Sequence, residues 1–190
     1  MRTPPKPQLP PRERIIEAAT ALFMEQGITR VSVDAIAARA ASTKMTVYRH
    51  FENKDALVLE WLGQLIESYT DALDQTVLQY PDSPRQQLQG FIDFIVQDLA
   101  RSGYRGCPFT NTLAEVSEDD HPVRAMIQRH KQQQFARLTA LCAAMQLNEP
   151  RHVAEELTFL MEGAQVVAQN KGIEHVGERL TAMVQRRLGP

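Results

Sequence analysis

The segment from Val31 to Phe51, VSVDAIAARAASTKMTVYRHF, leaves the backbone little choice. Apolar and small residues recur at helical spacing at Val33, Ile36, Ala37 and Ala40, stop at Ala41-Ser42, and resume after Thr43. Ser32 and Thr43 both suit N-caps, and Asp34 complements the positive end of the first helix. Two short helices joined by a tight corner follow from this pattern. The second opens with small and basic residues and runs into Tyr48, Arg49 and His50. That is how a helix tip enters the DNA major groove while flanking side chains hold phosphates.

The same helical period extends over the rest of the chain, and no convincing strand alternation interrupts it. Ile15, Ile16, Ala19, Leu22 and Phe23 form one face of a helix over 12–26, stopped by Gly27. Asn53 caps a long helix through Leu57, Trp61, Leu65, Tyr69 and Leu73 to about Gln79, roughly 40 Å in length. Ser83, Pro84 and Gln86 mark the next start. Further helical stretches follow at 109–116, from Pro122 to about Met145, from Asn148 to Gly172, and from Ile173 onward. The expectation is an all-α chain of about nine helices. It divides into a basic Pro-rich tail over 1–10, a three-helix helix-turn-helix DNA-binding domain over 11–53, and a helical ligand-binding and dimerisation domain over 54–190.

Charge supports the division. Through Asn53 there are eight Lys/Arg against five Asp/Glu, a net +3, whereas the remainder carries −5. A basic head on an acidic body confines the attraction for nucleic acid to one end. With 43% hydrophobic residues the chain can bury a sizeable core. No uncharged apolar run reaches the ~20 residues of a membrane-crossing helix, so no membrane partner is expected. The opening MRTPPKPQLPP lacks the apolar core of an export signal and reads as a flexible tail. Two distant cysteines without such a signal indicate free thiols in a cytoplasmic protein.

Ile36, Ala37, Ala40, Thr46, Tyr48, His50, Phe51 and Lys54 stand at the places of the pattern TxxxIAxxAGVSxxTxYxHFxxK. Over roughly the first 55 residues the chain thereby resembles the TetR family of bacterial transcriptional repressors. Phe23 and Gly27 also fit that family's first helix. Ala41-Ser42 replaces the usual Gly-Val at the corner, where glycine permits a left-handed backbone that costs alanine about 1 kcal/mol or somewhat more. The resemblance implies a homodimer with two heads on a palindromic double-stranded DNA operator. It also implies a small-molecule effector in the C-terminal domain that moves the long helix and releases the DNA.

The residues assign roles within the head. Thr43 caps the recognition helix, and Lys44 and Thr46 lie near its tip, suited to guanine O6/N7 and to a thymine methyl. Tyr48 and His50 suit phosphate contacts, and Arg49 suits bases or backbone equally. Ser32 and Lys54 start helices that face phosphate, with Arg2, Lys6 and Arg12 adding contacts from the tail. The competing interpretation makes Lys44, Arg49 and Lys54 a solvated face and Tyr48 a core aromatic. Phe51 is core in either case.

In the body, Trp61, Tyr69, Phe91, Phe94, Phe109, Phe135 and Phe159 offer aromatic lining for a partly apolar molecule. Asn111, His130 and Gln165 add polar points within apolar stripes, each equally able to be a satisfied core polar. Cys107 precedes a helix start, where a thiol is open to oxidation or electrophiles; the alternative is a small apolar side chain beneath the pocket. The candidate ligand set is therefore Trp61, Tyr69, Phe91, Cys107, Phe109, Asn111, His130 and Gln165. The histidine spacings give no metal site, no cofactor fingerprint is present, and no nucleophile elbow, Walker loop or dinucleotide motif marks an enzyme. The last two helices, with Gly163, Ala164 and Ala168 permitting close approach, suit a four-helix dimer interface. A DNA-binding module without an effector is the remaining alternative, marked by a salt-steep but sequence-blind affinity.

Overall fold

Hydroxyl or amide side-chain caps set four helix starts. Ser32, Thr43, Asn53 and Ser83 accept from the backbone N–H three residues on, at 3.1, 3.1, 2.8 and 3.4 Å. Five starts, the Ser83-capped one among them, carry proline in the first turn, where its missing N–H has no partner to lose and its fixed φ suits the helix. The computed structural model describes residues 9–189. Among them the elements are α1 (Pro11–Gln26), α2 (Val33–Arg39), α3 (Lys44–His50), α4 (Lys54–Gln79), α5 (Pro84–Arg101), α6 (Pro108–Glu115), α7 (Pro122–Ala144), α8 (Pro150–Asn170) and α9 (Val176–Leu188), with no strand. Arg2 and Lys6 lie outside the described residues.

α1, α2 and α3 pack on one another as a three-helix head. α4 contacts α1 at one end and α5 and α7 along its length, and α8 packs on both α7 and α9. The all-α architecture is as expected, with two boundaries displaced. Ile173 precedes α9 rather than joining it, because Lys171 and His175 take left-handed conformations that interrupt the helix between them. Glu149, also left-handed, delays α8 to Pro150.

The corner between α2 and α3 closes as a Schellman turn: Ser42 N–H donates to Ala37 C=O at 2.9 Å and Ala41 N–H to Ala38 C=O at 3.1 Å. This geometry places Ala41 at φ +47°, the conformation that glycine adopts without penalty. Ala41→Gly should therefore raise the unfolding free energy by about 1 kcal/mol or slightly less, since the unfolded glycine regains some entropy. Urea midpoints of the two proteins check this, and an unchanged or lower midpoint would refute the strain.

Two apolar cores result. The first gathers Ile15, Phe23, Ile36, Val47 and Phe51 of the head with Leu57, Trp61, Leu62, Phe109, Val123 and Ile127 of α4, α6 and α7. The second gathers Leu88, Phe91, Ile92, Leu138, Val153, Leu157, Leu180 and Val184 within the body. Phe94 touches both. No described helix is long and apolar enough to cross a membrane.

Candidate nucleic-acid interface

α3 is pinned to the head by one fully buried side chain, Val47. Around that pin Lys44, Met45, Tyr48 and Arg49 point outward and are exposed. The Thr43 hydroxyl caps the helix and also meets the Thr46 hydroxyl at 2.9 Å, which fixes both at the tip. Lys44 reaches back to Asp34 of α2 at 2.9 Å, and that hydrogen bond, with the attraction of the carboxylate, raises the lysine pKa. Its ammonium is thus tethered beside the tip. Ser32 is exposed at the start of α2, and Lys54 is half-buried at the start of α4.

Arg12 sits in α1 rather than in the tail that the sequence suggested, and His50 is half-buried. His50 Nε2 is buried and has no partner among the described residues, so that nitrogen faces inward. Arg12 belongs to α1, pairs with Glu60 at 3.0 Å and lies over the Phe51 ring at 5.1 Å. Met45 was absent from the sequence assignment, yet at 82% exposure it is the most solvent-accessible large apolar side chain described. Helical geometry already carried the signal: with Val47 inward, the residue two positions earlier must face out. An exposed methionine at a recognition-helix tip suits the thymine methyl group.

α6 ties the body to the head. A Glu115 oxygen accepts from Thr29 N–H at 2.6 Å, and the carboxylate fills the space where a Cβ on Gly27 would stand. Gly27, at φ +81°, is thus required both by its conformation and by the approach of Glu115. Arg105 donates to the Glu25 carbonyl, and the Glu25 carboxylate in turn holds Arg39 with two 2.9 Å hydrogen bonds. The end of α1 and the turn after it are therefore held by Arg105, in the loop before α6, and by Glu115, at the end of α6.

The candidate ligand residues separate into groups. Tyr69, Phe109 and His130 come together, with His130 at 4.6 Å from Phe109 and 6.0 Å from Tyr69 between ring centroids. Phe91 joins through Phe94, itself 5.0 Å from Tyr69. A cavity of about 410 Å³ lies beside Tyr69 and His130, lined also by Leu73, Gln133 and Arg137. Burial, followed by the charge of Lys131, lowers the His130 pKa to about 4. Burial, then the Asp98 carboxylate 2.8 Å away, pushes the Tyr69 phenol well up. Cys107 is buried with Lys131 Nζ 3.7 Å from its sulfur. Burial alone would lower the Lys131 pKa, but Cys107 and Glu162, the latter 2.5 Å away, raise it overall.

Trp61 and Asn111 instead line a separate cleft against α1, and Gln165 is buried beside the Gly106 loop. Phe159 lines instead an open groove of about 180 Å³ between α8 and α9, and is 77% exposed. Its spacing with neighbouring apolar residues is helical, but the described residues leave the face it belongs to uncovered.

The comparisons agree with this geometry. The family model for bacterial regulatory proteins of the tetR family matches residues 15–61. A TetR-family transcriptional regulator from Streptomyces coelicolor has 30% identity, with 94% of each chain covered and a TM-score of 0.88. An uncharacterised HTH-type regulator of Lactococcus lactis is 27% identical over 62% of this chain, and the HTH-type transcriptional repressor DhaR of a Mycobacterium species is 28% identical over 63%. The chain spans about three-fifths of the length of these two curated relatives, 61% and 59%. On a helix-turn-helix head matched to the family and a likeness that runs through nearly the whole of both chains, the protein belongs to the TetR family of bacterial transcriptional regulators.

Proposed function

We propose that this regulator is a repressor, binding a palindromic operator as a homodimer and released when a small, partly apolar effector enters its body. One observation carries the DNA reading: α3 exposes Lys44, Met45, Tyr48 and Arg49 around its single buried pin, Val47. In this reading Lys44, Met45 and Thr46 meet base edges, Tyr48 meets phosphate, and Arg49 serves either. Ser32 and Lys54 flank them, presenting helix amide ends to the backbone. The head over 11–53 reads DNA and the body over 54–190 receives the effector.

Three features support the finer points. The curated relative DhaR is named as a repressor. The cavity beside Tyr69 and His130 is of ligand size and couples directly to α4, the helix that begins at the head. The outer faces of α8 and α9 leave Phe159, Val166 and Met183 in solvent, which suits a partner with the same face.

Tyr48→Ala tests the interface. Tyr48 is 47% exposed, so its loss should leave thermal unfolding unaltered while weakening binding to a selected operator by about 1–3 kcal/mol. Fluorescence anisotropy at fixed salt measures this; equal affinities would remove Tyr48 from the DNA-binding set. A second reading, switching by electrophilic modification of Cys107, is favoured by Lys131 at 3.7 Å and opposed by the thiol's 4% exposure. If it holds, N-ethylmaleimide will release the operator from the wild type but not from Cys107→Ser. Equal release from both would exclude it.

A further inference from the structure

Asp34 stands beside the recognition helix without belonging to it. Val33, Ile36 and Ala37 take the buried face of α2, which leaves Asp34 on the solvent face. Its carboxylate meets the Lys44 ammonium of α3 at 2.9 Å, and the two side chains remain 68% and 52% exposed. An exposed ion pair of this kind adds little to stability. Neither side chain has another hydrogen bond or ion pair among the described residues. Two of the three lysine donors and most of the carboxylate lone pairs are therefore unused.

The tip of the head thus presents a donor and an acceptor side by side. The major-groove edge of a G·C pair carries the complement: guanine O6 and N7 accept, and cytosine N4 donates. O6 and N4 are hydrogen-bonded to each other across the base pair, about 2.9 Å apart, which matches the spacing of the ion pair. An A·T pair sets its one donor between two acceptors and adds a methyl group, and a C·G pair reverses the order. A lysine free of its tether is a flexible point charge that settles on phosphate, a contact without sequence information. We propose that Asp34 and Lys44 act as one reader of a single G·C base pair per head, Lys44 donating to guanine O6 or N7 and Asp34 accepting from cytosine N4. This assignment deepens the DNA reading above and rests on it.

Selection of the full chain against a randomised duplex library supplies the operator. Anisotropy on every single base-pair substitution of that operator, at fixed salt, then measures the preference at each position. In the wild type one G·C pair should stand out, with A·T or C·G in its place weakening binding about 5- to 150-fold. Asp34→Ala should level the preference at that pair to within about twofold while other positions keep theirs. Lys44→Ala should level the same pair. Thermal unfolding of both variants should match the wild type, since both side chains are exposed. Three results overturn the reader: an Asp34→Ala profile that keeps the G·C preference, a loss spread evenly over all positions, or relaxation of different base pairs by the two variants. In each of these the wild type still selects an operator, so the DNA-binding reading stands. A wild type without any sequence preference overturns that reading and the reader together.

Discussion

Phe159→Asp should yield a folded monomer whose operator affinity is at least about a hundredfold lower, since one head alone makes too few contacts for specific binding. Phe159, Gly163 and Val166 follow one another along the outer face of α8, and Met183 of α9 lies near them; the three apolar side chains are 77%, 51% and 47% exposed. In an isologous interface each substitution counts twice. Losing burial of a phenylalanine removes about 1.5–3 kcal/mol per subunit. Placing a carboxylate in the apolar patch adds a desolvation cost on top. Because Phe159 supports no interior packing, helicity and thermal unfolding of the monomer should persist. Sedimentation velocity and anisotropy at matched concentrations decide the matter: a dimer that survives the aspartate would move the interface elsewhere.

Acid should destabilise the body through His130. Its imidazole is held at a pKa of about 4 in the fold, by burial first and the Lys131 charge second, against 6.5 in the unfolded chain. Between these values the unfolded chain binds a proton that the folded protein refuses. The contribution is therefore fully present above pH 6.5 and lost as pH falls toward 4, amounting to up to about 3 kcal/mol across the window. His130→Phe keeps a ring against Phe109 and Tyr69 but cannot titrate. Urea unfolding at pH 7.5 and pH 5 should show a smaller loss of stability in this variant than in the wild type. Parallel losses in the two proteins would show that His130 carries none of the pH dependence.

The head was legible in the sequence because its determinants are local. Ser32, Thr43 and Asn53 each cap a helix from three residues away, and the strained corner at Ala41 was visible as the departure from glycine. What sequence spacing could not show was which apolar face the chain itself covers. Phe91 and Phe159 both fit helical stripes, yet one is fully buried and the other mostly in solvent. The ligand candidates divide between two spaces for a related reason. Trp61 and Tyr69 lie two turns apart on α4, but α1 helps to surround one and α5 and α7 the other, with α6 reaching both. The Glu115–Thr29 clasp joins residues 86 positions apart, beyond any periodic signal. Lys44 was recognised as basic and near the tip, but its tether to Asp34 depends on how α2 and α3 cross.

The first apolar core does not respect the seam between Asn53 and Lys54. Val47 and Phe51 share it with Leu57, Trp61 and Leu62, and α6 seals it through Phe109. Recognition helices are therefore not freely exchangeable parts. A chimera that borrows another regulator's first 53 residues inherits half of a hydrophobic surface whose other half stays behind. Transplanting DNA specificity onto this body calls for changing only the outward residues of α2 and α3, leaving every inward one in place.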